Sequence, residues 1–121
     1  MAQNECRETE EVLAHHLRAF AAGDIDMIMT DYADDAVVIT PQGIVVRGAA
    51  QIMKMHEMTT ASIPPGSQFQ VTQKTVTESM ACIVWNAESA KVKIPFGTDT
   101  FFIKEGRIVA QTFACQMVPK N

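Results

Sequence analysis

The chain contains little tryptophan, tyrosine or cysteine, and it has no long apolar run. Its cysteines, Cys6, Cys82 and Cys115, are odd in number and widely spaced, a pattern that fits neither a disulfide framework nor the close pairs of a zinc site. We expect them to be small buried hydrophobic residues. No segment approaches the roughly 20 apolar residues needed to span a bilayer, and the N-terminus lacks the basic start and apolar run of a signal peptide. The sequence therefore predicts a cytoplasmic protein.

Basic charge is also scarce. Ten Lys and Arg residues stand against fourteen Asp and Glu residues, which leaves a net charge of −4 and no basic stripe for a phosphate backbone. There is no histidine pair at metal-ligand spacing, no glycine-rich phosphate loop and no serine elbow. A length of 121 residues allows one hydrophobic core. We expect one domain over residues 1–121, with no metal, cofactor, nucleic-acid or membrane partner.

What the sequence does contain is hydrophobic periodicity. Apolar residues at helical spacing predict a helix over residues 5–22, which Gly23 ends, and two shorter helices at 24–32 and 49–61. Alternating and β-branched segments predict strands, with a tight turn at 104–106 between the last two. The predicted strands span 36–40, 44–46, 69–77, 80–85, 91–96 with 98–103, and 107–117. Helices followed by an antiparallel meander indicate an α+β fold in which a curved sheet wraps around the long first helix.

The first helix carries adjacent histidines that point in different directions. His16 lies at helical spacing from Val12 and Phe20 and so points inward, whereas His15 shares a face with charged residues. His16 is a candidate catalytic residue, because histidine can carry a proton near neutral pH. The alternative is a core histidine that is satisfied by hydrogen bonds.

Asp99 is the second candidate catalytic residue. Strand alternation places it on the same face as Phe101 and Ile103. If that face is the concave one, burial would raise the pKa of Asp99 and make it an acid or a neutral hydrogen-bond donor. In the alternative register, Asp99 is solvated at the start of its strand.

Other residues are candidates for contact with a ligand. Tyr32 closes the second predicted helix, and His56 lies on the inward side of the third, so both could reach the interior, although such residues are commonly half-buried packing. Trp85 is either core or a platform for a ligand. Asp34 and Asp35 are interpreted as a solvated turn. The candidate ligand-binding residues are Tyr32, Thr40, His56, Trp85, Phe101 and Phe113.

Two segments carry a resemblance to a known superfamily. They are FAAGDIDMIMTDYADDAVVITPQGIVVRGAAQI and TDTFFIKEGRIVAQTFA. Together with the order of elements, they resemble the nuclear transport factor 2-like, or SnoaL-like, superfamily, which includes ketosteroid isomerase. The resemblance implies a cone-shaped α+β barrel around an apolar cavity, commonly in a homodimer. It does not specify a function, because the superfamily contains isomerases, cyclases, dehydratases, epoxide hydrolases and non-catalytic binders.

The resemblance to ketosteroid isomerase implies roles for single residues. Tyr32 matches a tyrosine of that enzyme's hydrogen-bonded network, and His16 and His56 stand where its other two tyrosines are. Asp99 matches the aspartic acid that is kept protonated. Thr40 occupies the position of the catalytic base, in the segment ADDAVVITP. A threonine hydroxyl cannot take a proton from carbon near neutral pH without a base of its own, so the steroid isomerase reaction is not predicted.

These residues leave three functions open. In the first, the protein is a cofactor-free acid-base enzyme of the isomerase, cyclase or dehydratase type that acts on a hydrophobic carbonyl or hydroxyl compound. His16 then carries the proton and Asp99 is the acid or its partner; Tyr32 and His56 tune His16 by hydrogen bonds, and Thr40 orients the ligand. In the second, the protein is a non-catalytic ligand-binding or dimerisation module in which His16 and Asp99 form a buried pair. The third is a structural interaction protein. A cavity of roughly 300 Å³ or more with both residues on its wall would favour the enzyme.

Overall fold

The computed structural model describes residues 2–121, with side chains from Glu8 onward. The elements in this range are α1 (Ala2–Ala22), α2 (Ile25–Met29), β1 (Tyr32–Ile39), β2 (Val45–Arg47), α3 (Ala49–Ser62), β3 (Gln68–Thr77), β4 (Met80–Glu88), β5 (Val92–Lys104) and β6 (Arg107–Pro119). The strands form one curved, unclosed sheet in the order β2-β1-β6-β5-β4-β3. The prediction of an α+β fold with a long first helix and two further helices is confirmed.

The long helix α1 packs against β3, β4 and β5 and ends before Gly23. Gly23 has a φ of +66°, and a Cβ at this position would lie 2.3 Å from the Pro65 ring, so both the backbone and the packing require glycine. Asp24 then begins α2 by accepting a hydrogen bond from the Met27 amide at 3.1 Å. Among the described helices, none is long and apolar enough to cross a membrane.

Strands β3 to β6 form the predicted antiparallel meander. The last hairpin closes where Lys104 pairs with Arg107. Glu105 and Gly106 between them have φ angles of 52° and 76°, which are the positive values of a tight hairpin turn. The turn predicted at 104–106 is confirmed.

The sheet is mixed rather than wholly antiparallel, which corrects the prediction. β1 pairs antiparallel to β2 but parallel to β6, with Tyr32 opposite Ile108 and Val38 opposite Gln111. Local periodicity carries no signal for this pairing, because the two strands are far apart in the chain. The Ile108 amide donates to the Asp31 carbonyl at 2.7 Å. The parallel pairing therefore fixes the start of β1 against β6.

Strand β1 begins earlier than predicted. Tyr32 is its first residue and not the last residue of a helix, because α2 ends at Met29. Asp34 and Asp35 are exposed, as predicted, but they lie within the strand and not in a turn. The register against β6 shifts in this part of β1, and such an irregularity leaves side chains solvated inside a strand.

The buried face of the sheet carries much of the core. Ile83, Phe101 and Ile103 on β4 and β5 are each 2% exposed, whereas Phe102 is 40% exposed. Asp99 pairs with Ile83 and lies on this buried face with Phe101 and Ile103, as strand alternation predicts. The face of β5 that carries Asp99 is therefore the one that meets the helices.

The cysteines depart from the prediction of full burial. Cys82 and Cys115 are free and only half-buried. Burial raises the pKa of the Cys115 thiol, and the charge of Asp99 adds to this shift. The prediction for Cys6 concerns a side chain outside the described residues.

Helix α3 provides a matched test of the core. Ile52 is fully buried and Met58 is 74% exposed on the same helix. We expect Ile52→Ala to lower the free energy of unfolding by about 2–5 kcal/mol, because it leaves a cavity, and Met58→Ala to change it by about 0.5 kcal/mol or less. Urea denaturation followed by circular dichroism measures both, and equal costs would contradict the assigned orientation of α3.

Candidate functional site

A cavity lies between α1, α3 and the concave face of the sheet. Its volume is about 70 Å³, and its wall is mostly apolar. The polar residues on the wall are His16, His56, Thr59, Asp99 and Gln111. Four of the six predicted ligand-binding residues line the cavity, namely His56, Trp85, Phe101 and Phe113, whereas Tyr32 and Thr40 do not. Both candidate catalytic residues thus line one cavity, whereas its volume is below the roughly 300 Å³ of a typical ligand site.

A carboxylate that the sequence analysis did not single out holds His16. The Nδ1 atom of His16 lies 3.1 Å from Oδ2 of Asp31, and the Nδ1 atom of His15 lies 2.7 Å from Oδ1 of the same group. Because a carboxylate only accepts hydrogen bonds, Nδ1 of His16 is the donor, and whenever the ring is neutral Nε2 is the nitrogen that can take another proton. A carboxylate on one imidazole nitrogen is the arrangement that orients a histidine base.

The sequence offered little signal for Asp31 and His15. Asp31 lies in the short connection between α2 and β1, where no periodicity applies, and the predicted helix boundary at Tyr32 placed it in a helix. His15 was assigned to the solvent face, and its side chain is indeed 36% exposed. Nδ1 of His15 nevertheless lies within hydrogen-bond distance of Asp31, because the connection between α2 and β1 folds back against α1.

Asp99 has a donor on each of its oxygens. Trp85 Nε1 donates to Oδ1 at 2.7 Å, and Gln111 Nε2 donates to Oδ2 at 2.8 Å. Burial raises the pKa of Asp99, while the hydrogen bonds from Trp85 and Gln111 and the charge of His16 act in the opposite direction. The carboxyl group is therefore held in one orientation and binds a proton more readily than a solvated aspartate.

Gly97 makes room for the Trp85 indole. The two residues pair across β5 and β4, and a Cβ on Gly97 would lie 2.4 Å from the indole ring. A larger residue fits only if the indole moves. Gly97 thereby allows the indole nitrogen to reach Asp99.

A chain of hydrogen bonds runs from Asp99 to helix α3. Gln111 Oε1 accepts from the Tyr32 hydroxyl at 2.5 Å, and this hydroxyl lies 3.0 Å from His56 Nε2. Burial, followed by the charge of His16, lowers the pKa of His56 to about 3. Burial, followed by nearby carboxylates, raises the pKa of Tyr32 well above its usual value. Tyr32 and His56 are therefore neutral near pH 7.

Two predicted interactions of His16 are not formed among the described residues. Tyr32 and His56 contact the His16 ring edge-on, with ring centroids 5.3 and 6.0 Å away, and neither hydrogen-bonds to it. The hydrogen bonds of Asp99 go to Trp85 and Gln111, so no hydrogen bond joins the predicted pair of His16 and Asp99, although the charge of His16 lowers the pKa of Asp99. The prediction that Tyr32 and His56 tune His16 by hydrogen bonds is wrong, because Asp31 is the hydrogen-bond partner of His16.

Thr40 lies outside the cavity. It lines a wider groove of about 550 Å³ between α3, the β1–β2 hairpin and the end of β6. Its hydroxyl accepts the Ile44 amide at 3.2 Å and so closes the turn of this hairpin. Of the described residues, Thr59 and Phe113 line both the groove and the cavity. The predicted contact of Thr40 with a ligand can therefore occur only in the groove and not in the cavity.

The cavity wall combines groups suited to proton transfer. His16 Nε2 can accept a proton, and Asp99 can donate a proton or a hydrogen bond to an oxygen atom. Within residues 8–121, no group of three or more His, Cys, Asp or Glu side chains is positioned to hold a metal ion.

A curved sheet packed on a long helix, with two further helices, is the architecture of the nuclear transport factor 2-like fold. The model of the SnoaL-like domain matches residues 13–111. The chain therefore belongs to the SnoaL-like family. No curated protein matches it in sequence.

Solved structures share the fold at low sequence identity. An NTF-2 like protein of unknown function from Burkholderia xenovorans LB400 is 20% identical, with 93% of this chain and 85% of that chain covered and a TM-score of 0.79. A putative ketosteroid isomerase from Kribbella flavida DSM 17836 is 14% identical, with coverage of 97% and 84% and a TM-score of 0.79. The epoxide hydrolase/cyclase-like enzyme SalBIII of salinomycin pyran ring formation is 17% identical, with coverage of 91% and 92% and a TM-score of 0.78.

The Trp85 donor can be tested by its effect on Asp99. Trp85→Phe removes the indole nitrogen and keeps an aromatic ring. Because a hydrogen bond to a carboxylate favours its ionised form, we expect the pKa of Asp99 to rise above its wild-type value. Titration of the Asp99 carboxyl carbon by NMR measures this shift. Gly97→Ala, which displaces the indole, should act in the same direction, and unchanged titration in both variants would contradict the assigned bond.

His56 predicts a pH dependence of stability. Its pKa of about 3 in the folded protein lies below the ordinary value of 6.5, so the unfolded chain binds the proton between these values. The contribution of neutral His56 to stability is present above pH 6.5 and is lost as pH falls toward 3. We expect wild type to lose up to about 1.4 kcal/mol per pH unit relative to His56→Gln. Urea denaturation at several pH values measures the difference, since other groups titrate in both proteins; parallel curves would be the contrary result.

Proposed function

We propose that this protein binds a hydrophobic small molecule with a carbonyl or hydroxyl group and acts on it by cofactor-free acid-base catalysis. One observation carries the proposal: His16, oriented through Nδ1 by Asp31, lines the same apolar cavity as Asp99, whose pKa is raised by burial. A base and an acid on one water-poor wall are the groups that an isomerase, cyclase or dehydratase reaction requires.

In this proposal His16 is the base. Its Nε2 atom takes a proton from a carbon or hydroxyl group of the ligand, and the Asp31 carboxylate stabilises the imidazolium that forms. Asp99, in its acid form, donates a hydrogen bond or the proton to the ligand oxygen on which charge develops. His16 then returns its proton to a second atom of the ligand or to a leaving group. The scheme needs no catalytic role for Thr40.

The adjoining groove offers space for the part of a ligand that the small cavity cannot hold. A cavity of about 70 Å³ can hold the reacting part of a ligand, and the adjoining groove of about 550 Å³ can hold the remainder. Thr59 and Phe113, which line both, stand where the two meet. Thr40 contacts the ligand in the groove.

The predicted cytoplasmic location stays a prediction.

The alternative function is a non-catalytic ligand-binding module. The volume of the cavity favours it, because a cavity this small also fits a few water molecules and a well-packed core. In that case Asp31 and Asp99 hold their partners for structural reasons only.

We also propose that the protein is a homodimer that pairs through the convex face of its sheet. This face carries large apolar side chains that are exposed in the single chain, namely Ile39, Met80, Phe96 and Phe102. Exposed apolar residues concentrated on one face are typical of a surface that another protein covers.

Native mass spectrometry of the protein purified from its host tests binding and dimerisation together, since it reports retained small molecules and the number of chains. The retained compound, or a fractionated metabolite extract, is then incubated with wild type, His16→Gln, Asp99→Asn and Lys74→Gln, an exposed control on β3. We expect conversion by wild type and Lys74→Gln. The rate should fall by about 10²- to 10⁴-fold in the other two variants, the usual contribution of a general acid or base.

Each outcome of this experiment bears on the proposal. A compound that is retained but not converted by wild type would support the non-catalytic module. Conversion that persists in both His16→Gln and Asp99→Asn would remove these residues from the mechanism. A mass of one chain would contradict the homodimer.

A further inference from the structure

The hydrogen bonds next to Asp99 have a defined direction. Because Oδ2 of Asp99 accepts from the amide nitrogen of Gln111, the amide oxygen of Gln111 faces Tyr32. Tyr32 has one hydroxyl hydrogen, and it donates this hydrogen to Gln111. The oxygen of Tyr32 is then left to accept a hydrogen bond from His56 Nε2. One carboxylate thus orders three further side chains.

The direction of these bonds fixes the tautomer of His56. A neutral imidazole carries one N–H group, and here that group is on Nε2, so Nδ1 is an acceptor. The ring is neutral because burial lowers the pKa of His56 to about 3. Nδ1 is buried and has no hydrogen-bond partner among residues 8–121. Buried acceptors are nearly always satisfied, so this one requires an explanation.

We propose that the ligand of this cavity donates a hydrogen bond to Nδ1 of His56 from a hydroxyl or N–H group. The inference rests on the proposed small-molecule function and narrows its substrate class. In this proposal the donor reaches Nδ1 from the cavity, because the His56 side chain is part of the cavity wall and is only 5% exposed. Phe20 and Phe69, which contact each other at 5.1 Å between ring centroids, also line this cavity and favour an apolar body beside the donor.

A hydrogen bond to His56 distinguishes two kinds of ligand, whereas the acid-base chemistry of His16 and Asp99 alone would accept both. A carbonyl compound without any O–H or N–H group can accept from Asp99 but offers nothing to His56. A hydroxylated or N–H-bearing compound can satisfy both residues. The structure therefore favours an alcohol, a phenol, an enol or an amide over a simple ketone, ester or hydrocarbon.

Phenol and toluene form a matched pair of probes, because they differ by a hydroxyl in place of a methyl group. We expect phenol to bind about tenfold more tightly than toluene, as one additional hydrogen bond allows. Long-range ¹H–¹⁵N NMR of the histidine rings should show His56 as the Nε2–H tautomer, with the Nδ1 resonance moved by phenol and unmoved by toluene. In His56→Gln the side-chain amide can still donate to Tyr32 but has no atom in place of Nδ1, so the preference for phenol should disappear. Lys74→Gln should retain it.

The outcomes distinguish failure of this inference from failure of the proposed function. If phenol and toluene bind equally and the Nδ1 resonance does not move, water serves the acceptor and the inference is overturned while binding stands. If the preference survives in His56→Gln, the donor goes to another group and the inference is again overturned. If neither probe binds wild type, the small-molecule function fails and this inference fails with it. The NMR measurement on wild type does not depend on whether the variant folds.

Discussion

A carboxyl group on the concave face of a sheet must be hydrogen-bonded, because a buried polar group without a partner costs about 1–3 kcal/mol. Asp99 meets this requirement with Trp85 and Gln111, which come from the strands on either side of β5. Each donor imposes a condition of its own. The indole needs Gly97 beneath it, and the amide must turn its oxygen toward Tyr32. Much of the polar wall of the cavity therefore follows from one carboxyl group.

The other polar pair depends on where the chain enters the sheet. Asp31 precedes β1 directly, and its carboxylate reaches two adjacent histidines of α1. The helix and the sheet are thus joined by hydrogen bonds as well as by apolar packing. His16 faces the cavity and His15 the outside, so Asp31 lies between the interior of the protein and its surface. A histidine held in this way keeps one tautomer, and such preorganisation is what proton transfer requires.

Local pattern was sufficient for the parts of the structure that repeat. The α1 periodicity and the β5 alternation located His16 and Asp99, and the hairpin turn followed from its own sequence. Three things had no local signal. The parallel pairing of β1 with β6 joins segments that are distant in the chain. Asp31 lies in a connection without periodicity. The role of Gln111 depends on its hydrogen bond to Tyr32, which exists only once the two strands are paired. Thr40 matched the position of the catalytic base of ketosteroid isomerase, but its surroundings depend on the β1–β2 hairpin, whose turn it closes.

The parallel pairing of β1 with β6 also determines the stage of folding at which the candidate site can form. Asp31 and Tyr32, from the first third of the chain, are fixed by Ile108 and Gln111, close to its end. Until β6 has been synthesised and docked, neither Asp99 nor Tyr32 has its full set of partners. Contacts between such distant segments slow folding, because the loop must close before the contacts can stabilise it. In a growing chain the helices and the earlier strands would form before β6, and the cavity would acquire its polar wall only when β6 docks beside β1.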